Sequence, residues 1–388
     1  MALERHHRLV AYCLGIAGLG SNALIYFILP LRALEMGASL SAIGLLLGTK
    51  SLVEAGLSLP LGNFINRVGA KSAFLTGSLG VGGAGAGLAL AESLTLLVVF
   101  QVVLGIFRPL VWVGGQAYAS AMGTPSERAR DTGHFSFASN VGQIVAPLIA
   151  GGAVGVFGAQ AAFLVLTLYG GLFSLLSLLI PDVGRSHCRG GAQRSSLREA
   201  VRLLRSTPMQ LVLLLTFTRL WLPTVWVAFL PLFLVTQGAS VGVAATAASS
   251  MALMATLTTL FTKRLARLGR PATVTTAALG MSCLGVALTP LASGVPAVYL
   301  PAALVGIGQG ISLPLLLVLV SEAAPPSQRN LALSLRTGVS QAAAAAAPLA
   351  ITPIIGIGGL GMGFASASGV GALLLLGAMV MAKRVGAE

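Results

Sequence analysis

Charged side chains are scarce in this chain of 388 residues, because Asp, Glu, Lys and Arg together make up 9% of it. A soluble domain carries about a quarter of charged residues to cover its surface. The shortage excludes a water-soluble globular protein and indicates that most of the surface faces lipid. Apolar residues make up 56% of the chain, and their long runs can each cross a hydrocarbon core about 30 Å thick.

Cysteine and catalytic motifs are also lacking. The three cysteines, Cys13, Cys188 and Cys283, match no metal-site or disulfide spacing. We find no P-loop, no zinc-protease motif and no Gly-x-Ser-x-Gly elbow, so we predict neither an enzyme nor an ATP-driven pump, and no cofactor.

Twelve apolar runs are long enough to span a membrane. Each is interpreted as a helix, because a chain in lipid must satisfy its own backbone hydrogen bonds. Numbered 1 to 12, the predicted spans cover residues 9–30, 40–62, 72–91, 94–117, 133–156, 160–180, 209–234, 240–262, 271–292, 296–320, 331–357 and 362–382. The expected fold class is an all-α membrane protein with twelve transmembrane helices.

The basic residues are concentrated on one side of these spans. Nineteen of the 24 lie at one set of loops and termini, whereas Arg32 alone lies on the other side. The positive-inside rule therefore places both termini in the cytoplasm, and we expect a multi-pass protein of a bacterial inner membrane. The net charge is +14, but the basic residues are scattered over seven membrane-edge segments, so we do not predict nucleic acid as a partner.

The longest polar segment, 181–208, joins spans 6 and 7. It divides the chain into an N-terminal six-helix half, residues 1–180, and a C-terminal six-helix half, residues 209–388. The part from Arg194 to Arg205 is either an amphipathic helix on anionic lipid headgroups or a solvated cytoplasmic linker, and both interpretations stay open.

The two halves repeat each other at an offset of 201 residues. Matching pairs are Leu29–Leu31 with Leu230–Leu232, Gly37–Ser39 with Gly238–Ser240, Gly105 with Gly306, Pro125 with Pro326, and Ala146 with Ala347. Five matches at one offset indicate two pseudo-symmetric halves. Transporters built from such parallel repeats bind their substrate at the interface of the repeats, near the membrane midplane.

Motifs at the membrane edges resemble those of the major facilitator superfamily, and the resemblance covers the whole chain. The residues that match its loop between helices two and three are Gly62, Asn66, Arg67, Gly69 and Lys71, with a degenerate second copy at Arg267. Glu322 and Arg329 resemble the family's cytoplasmic acid–base pair. The resemblance implies that these residues latch one conformation, and topology determination is the simpler alternative.

Span 5 is similar to the antiporter motif of the same family, through Gly142, Ala146, Pro147 and Gly151. The resemblance implies export, and close helix packing is the alternative explanation of these small residues. The sequence departs from the family at Asn66, where Asp is usual, and at Gln101, where Arg is frequent. The second departure weakens any transfer of proton-coupling chemistry to span 4.

Five ionisable residues lie inside spans: Lys50, Glu54, Arg108, Arg219 and Arg336. Each costs about 2.5–3.5 kcal/mol at the bilayer centre before pairing or hydration, so a functional site or a water-filled cavity is expected. The family fold implies that helices 3, 6, 9 and 12 stand outside the cavity, and those spans contain none of the five. Arg336 lies closer to the cytoplasm and could instead extend its charge to the interface.

Glu54 is predicted to be the proton-coupling residue, because it is the only acid placed deep within a span. Lys50 lies four residues before it and can pair with it, so a purely structural ion pair is the alternative. That pair would leave Arg108 and Arg219 as unpaired cations and would favour an anionic substrate. His134 is a weaker proton-site candidate, for which an exposed surface position is the simpler explanation.

Polar and aromatic residues of the inner spans are expected to shape the substrate cavity beside these charges. They are Asn22, Tyr26, Trp112, Gln116, Asn140, Gln143, Trp221 and Gln309. The leading prediction is a monomeric, proton-coupled exporter of small organic molecules such as drugs or metabolites. The alternatives are a proton symporter that takes up an anionic organic solute and, from another class, a lipid flippase or a non-transporting membrane sensor.

Overall fold

The computed structural model describes residues 2–121, 125–180, 197–265, 267, 269–292, 294–325 and 328–385. The helices are α1 Ala2–Glu35, α2 Leu40–Val68, α3 Ala70–Ala89, α4 Leu94–Ala121, α5 Pro125–Leu179, α6 Leu197–Arg205, α7 Thr207–Thr236, α8 Val241–Leu265, α9 Pro271–Leu288, α10 Tyr299–Ala323 and α11 Arg329–Val385. Short 3-10 turns at Thr289–Leu291 and Val295–Val298 link α9 to α10. No strand occurs within the described ranges.

Two of these helices, α5 and α11, are each interrupted by one glycine. Gly158 has φ 81° and ψ 164°, and Gly359 has φ 74° and ψ −179°, a backbone region that essentially glycine alone adopts. Each long helix therefore supplies two spans, at 125–157 and 159–179 and at 329–358 and 360–385. Within the described residues this gives twelve long helical segments besides the short α6, and the predicted fold class is confirmed.

Nine helices of the described chain are long and apolar enough to cross a membrane when α5 and α11 are each counted once. Several helices extend beyond the predicted spans. The first runs over Ala2–Glu35, where the sequence predicted 9–30. The reason is that the apolar run ends at the headgroups, whereas the helical hydrogen bonds continue into the polar interface.

The repeat predicted from the sequence is also present in the backbone. Gly37 and Gly238, 201 positions apart, both have positive φ (76° and 82°) in the turns after α1 and α7. The interruptions at Gly158 and Gly359 are separated by the same offset. The degenerate copy of the loop motif differs, since Gly69 has φ 90° and Gly269 is not among the described glycines with positive φ.

The chain forms two compact units. The first contains Met1–Ser39, Thr49–Gly191 and Ser240–Ser249, and the second contains Leu40–Gly48, Ala192–Ala239 and Ser250–Glu388. Within the first unit, α1 packs along α5, and α3 packs against α4 and α5. Within the second unit, α7 packs against α11, and α9 packs against α10 and α11. The predicted linker 181–208 has its first sixteen residues outside the described ranges.

The second arms of α5 and α11 expose apolar stripes. Segment 159–179 exposes Leu164, Leu168, Leu172, Leu175 and Leu179, which recur at intervals of three or four residues and so share one helix face. Segment 360–385 exposes Leu373, Leu376 and Val380 in the same way. Both faces suit contact with lipid. In contrast, most of α7 is buried.

Candidate functional site

Glu54 lies at the centre of a buried ion cluster in the first unit, formed with Lys50 and Arg108. The Arg108 guanidinium donates from Nε to Glu54 Oε1 at 2.6 Å and from a terminal nitrogen to Oε2 at 2.9 Å. Lys50 Nζ donates to Oε1 at 3.1 Å. The three residues are 4%, 8% and 2% exposed for Glu54, Arg108 and Lys50, so one carboxylate holds two buried cations and the cluster carries one net positive charge.

Side chains of α1 and α2 complete the surroundings of Lys50. Its Nζ donates to Asn22 Oδ1 at 2.8 Å and lies 4.7 Å from the centre of the Tyr26 ring, within the range of a cation–π interaction. The Tyr26 hydroxyl is in turn 2.9 Å from Ser51 Oγ. The ammonium group is therefore fixed by an anion, an amide and an aromatic face, all from the first unit.

A glycine of α4 sets the register of this cluster. A Cβ on Gly105 would lie 2.9 Å from Lys50 O and 2.6 Å from Val53 Cβ, so α4 approaches the α2 backbone more closely than a side chain would allow. Arg108 lies about one turn further along α4, and Glu54 is one turn beyond Lys50 on α2. The close contact thus places the guanidinium beside the carboxylate.

The structure corrects one expectation and bears out another. The predicted Lys50–Glu54 pair is formed, with Nζ and Oε1 3.1 Å apart. Arg108 was expected to remain unpaired beside that pair, and this was wrong, because its guanidinium binds both oxygens of Glu54. The sequence identified the three residues, but it could not predict at which positions along their lengths α2 and α4 come into contact.

The second unit has no copy of this cluster. At the offset of 201, Met251 stands for Lys50, Ala255 for Glu54 and Gln309 for Arg108. The backbone contact is nevertheless repeated, since a Cβ on Gly306 would meet Met251 O, as one on Gly105 would meet Lys50 O. The two units share a packing scheme, and the first alone carries the ion cluster.

Arg219 and Arg336 are the predicted cavity cations of the second unit. Both are half-buried, and the Nε atom of each is buried with no hydrogen-bond partner within the described residues. Gln309 donates to the Arg219 backbone carbonyl at 3.0 Å. Trp221 is buried and donates to Ala367 O at 3.0 Å, so this indole is engaged in packing on the last helical segment.

The remaining predicted cavity residues belong to the first unit and are more open. Trp112, Asn140 and Gln143 are half-buried, whereas Gln116 is exposed. Trp112 packs against Phe135, with ring centres 5.5 Å apart. Trp112 and Gln116 lie four and eight residues after Arg108, so they continue its face along α4.

The predicted latch residues do not form one shared set of contacts among the described residues. Lys71 donates to the carbonyls of Leu178 and Ile180, which end the second arm of α5, as expected for a cation at a helix C-terminus. Arg67 and Arg267 are exposed. Glu322 and Arg329 are also exposed, and the salt bridges formed within the described residues do not join them. The burial and contacts of residues Gly62 and Asn66 lie outside the described part.

The span 5 motif forms a close helix contact. A Cβ on Gly142 would lie 2.8 Å from Ile16 O and 3.1 Å from Ile16 Cα, so α5 touches the α1 backbone there. A Cβ on Gly151 would meet the side chain of Ala245. Ala146 and Pro147 are buried. These contacts give the small residues a packing role that does not depend on the direction of transport.

Two buried polar residues were missed or misjudged from the sequence. Asp131 was placed in a loop because the apolar run of span 5 begins after it, yet it is fully buried within α5. Glu54 is therefore not the only buried acid. His134 is half-buried rather than a free surface residue, and its Nδ1 lies 3.0 Å from the Tyr12 hydroxyl.

Gln101 is a third buried polar residue. It is 0% exposed, and neither its amide oxygen nor its amide nitrogen has a hydrogen-bond partner among the described residues. It lies seven residues before Arg108, hence on the same face of α4. The sequence singled out this position only as a departure from the expected arginine.

Among the described residues, twelve long helical segments in two repeated units, with buried charges inside them, define a multi-pass membrane transporter of the secondary type. The sequence profile of the Major Facilitator Superfamily matches residues 10–348. The chain belongs to this superfamily. It is therefore a transporter that works by alternating access, and not an enzyme.

Solved structures of similar fold include several transporters. The nucleoside transporter NupG, in a mutant form, superposes with a TM-score of 0.84 at 12% identity, over 97% of this chain and 99% of that one. A bacterial homologue of the human lysosomal transporter Spinster gives 0.79 at 15% identity, over 98% and 96%. The peptide transporter POT in complex with sulfate gives 0.78 at 16% identity, over 98% and 95%. At these identities the similarity concerns the fold.

Proposed function

We propose that this protein is a proton-coupled transporter of small organic solutes that carry an anionic group, with Glu54 as the residue that takes up and releases the coupled proton. The observation that carries the proposal is the buried cluster in which Glu54 holds both Lys50 and Arg108. Buried ion clusters of this kind are weak sources of stability, so their presence in a membrane protein favours a functional role.

The cluster suggests how solute and proton are coupled. An anionic group of the solute competes with Glu54 for the Arg108 guanidinium, which prefers bidentate acceptors. An ionised carboxylate that has lost its partner in a buried site is costly to keep charged, so Glu54 then takes up a proton. Binding of the anion and of the proton thereby support each other, which is the behaviour of a symporter.

Export by proton antiport is the second candidate function. It is favoured by the similarity of Gly142, Pro147 and Gly151 to the antiporter motif. Against it, the Gly142 contact with Ile16 accounts for part of the motif through packing. In an antiporter, solute and proton would compete for Glu54, so the solute would need a cationic or hydrogen-bond-donating group.

The proposal is tested by solute-induced proton movement in proteoliposomes that contain a pH-sensitive dye. The panel consists of organic phosphates, organic carboxylates, neutral drugs and amphipathic cations, and Glu54→Gln is compared with the exposed control Glu92→Gln. We expect an anionic solute of the panel to move protons in its own direction, and this response to be lost in Glu54→Gln and kept in Glu92→Gln. Protons that move against the solute would indicate antiport.

Two outcomes would contradict the assignment. Coupling that survives in Glu54→Gln but disappears in Asp131→Asn would move the proton site to the other buried acid. A wild-type response to none of the anionic solutes, with a response to amphipathic cations, would replace the anion proposal by drug export.

A further inference from the structure

Three buried polar atoms without hydrogen-bond partners occur on two packed helices of the second unit. Among the described residues they are Thr216 Oγ1 and Arg219 Nε on α7, and Arg336 Nε on α11. Thr216 and Arg219 are three residues apart and so lie on one face of α7. Buried donors of this kind are normally satisfied, which makes a shared, missing acceptor the simplest explanation.

The repeat brings the three residues together. Their counterparts in the first unit, 201 positions earlier, are Gly15, Gly18 and Phe135. A Cβ on Gly15 would meet Phe135 O, and one on Gly18 would lie 2.6 Å from the Trp112 ring. The same ring packs against Phe135.

In the second unit, Thr216, Arg219 and Arg336 stand at these positions of the repeat, and Leu313 is the counterpart of Trp112. A leucine side chain is smaller than an indole, which favours room for a ligand beside the two arginine side chains.

The charges of this group have no counter-ion in the part of the chain that the structure describes. Arg219 and Arg336 belong to α7 and α11, which pack against each other. The salt bridges formed within the described residues involve Glu35 and Glu54, and neither arginine takes part in them. Two like charges on packed helices repel each other when no counter-ion lies between them. A bound anion would relieve that repulsion.

We propose that Thr216, Arg219 and Arg336 bind a tetrahedral oxyanion, the chemistry of a phosphate, phosphonate or sulfate group. A guanidinium binds two oxygens of a planar or tetrahedral anion through its fork. A carboxylate has only two oxygens, and one fork occupies both, whereas a terminal phosphate, phosphonate or sulfate group has a third free oxygen for the second arginine and the hydroxyl.

The inference rests on the proposed function and narrows its solute to one that carries such a group. The same chemistry has a second source, the phosphate of a lipid headgroup, because Arg336 lies near the cytoplasmic end of its helix. The shared prediction is a tetrahedral-oxyanion site, and the source of the anion is decided by experiment.

The test measures the binding of inorganic phosphate to the purified full-length protein in detergent. The two readouts are the binding of radiolabelled phosphate and the phosphate-induced rise in Tm at constant ionic strength. Sulfate and acetate are compared as competitors. We expect phosphate and sulfate to bind and acetate to be much weaker. Arg219→Gln and Arg336→Gln should each weaken phosphate binding about 10- to 100-fold, the loss of one charge-assisted contact. The exposed Arg264→Gln should bind as the wild type does.

Three further measurements keep the outcomes distinct. Thr216→Ala should weaken phosphate binding less than either arginine variant, since it removes a neutral donor; this variant also covers the case in which an arginine variant does not fold. Solute-induced proton flux is scored in Glu54→Gln and phosphate binding in the Arg219 and Arg336 variants, so failure of the proton assignment is separable from failure of this site. In nanodiscs, phosphate binding that is abolished by phosphatidic acid, whose phosphate has three free oxygens, and kept in phosphatidylcholine would identify a lipid headgroup as the source.

Acetate that competes as well as phosphate would overturn the tetrahedral-oxyanion assignment. Phosphate binding that is unchanged in both folded arginine variants would overturn the site itself.

Discussion

At the scale of single residues, Glu54 binds one cation of its own helix, Lys50, and one of another helix, Arg108. The Lys50–Glu54 pair followed from a spacing of four on one helix, which fixes the distance between side chains. The Arg108–Glu54 contact joins two helices, and its existence depends on the register set at Gly105. Thr216 was missed, although its spacing of three from Arg219 was visible in the sequence.

Gln101 supplies a prediction on stability. Its amide is fully buried and its two polar atoms have no partner among the described residues, a situation that costs about 1–3 kcal/mol. Gln101→Leu, which has a similar volume and no polar atoms, should therefore raise the free energy of unfolding by about 1–3 kcal/mol. Thermal and denaturant unfolding in detergent would measure the change.

Gln160→Leu is the control for this prediction, at an exposed glutamine whose amide has a partner. Gln160 donates from Nε2 to Ala89 O at 3.0 Å, so its replacement removes a hydrogen bond and should lower stability. If Gln101→Leu were also less stable than the wild type, the amide would have an acceptor and a donor in the folded protein, such as an ordered water, and the prediction would be wrong.

At the scale of elements, glycine determines where helices touch and where they end. The apolar runs were sufficient to predict each span, but they gave the ends poorly, because helices continue past the apolar region. The predicted spans leave breaks at 157–159 and 358–361, and the structure narrows each break to one glycine, Gly158 or Gly359. The signal for these two residues was available, since both are glycines and are separated by the repeat offset of 201.

The contact of α1 with α5 gives a prediction for the span 5 motif. A side chain at Gly142 would collide with the Ile16 backbone, whereas a Cβ at Gly152 would meet nothing within 4 Å. Gly142→Leu should reduce the amount of folded protein and lower Tm by several degrees, and Gly152→Leu should change neither. Size-exclusion profiles and thermal unfolding of both variants would test this.

A different result would assign the span 5 motif a role in coupling the solute to the proton. If Gly142→Leu folded as well as Gly152→Leu but lost solute-induced proton flux, the residue would act in the transport cycle and not through packing alone.

At the scale of the whole molecule, a symmetric scaffold carries asymmetric chemistry. The backbone turns and the Gly105 and Gly306 contacts repeat at one offset. The ion cluster around Glu54 and the arginine pair each occur in one unit. The repeat could be predicted because packing glycines and turns are conspicuous in sequence. The chemical difference between the two units was visible in the sequence only through the positions of the five charged residues inside spans.

The charge distribution also predicts the orientation of the chain. Reporters fused after Glu388 should be cytoplasmic, whereas those inserted at the turns of Gly37 and Gly238 should face the opposite side, because the basic residues concentrate at the other edge. A C-terminal green fluorescent protein should fluoresce, and alkaline phosphatase at the two turns should be active. The reverse pattern would invert the predicted topology.

The unequal count of charges around Glu54 has an electrical consequence. With Glu54 ionised, its cluster with Lys50 and Arg108 carries one positive charge, and a proton raises this to two. A monoanionic solute restores the original charge. The joint transport of one proton and one monoanion therefore moves no net charge, and its driving force does not depend on the membrane voltage. A doubly charged solute leaves one negative charge to move, worth about 2.3 kcal/mol per 100 mV. An interior-negative membrane would then drive such a solute outward.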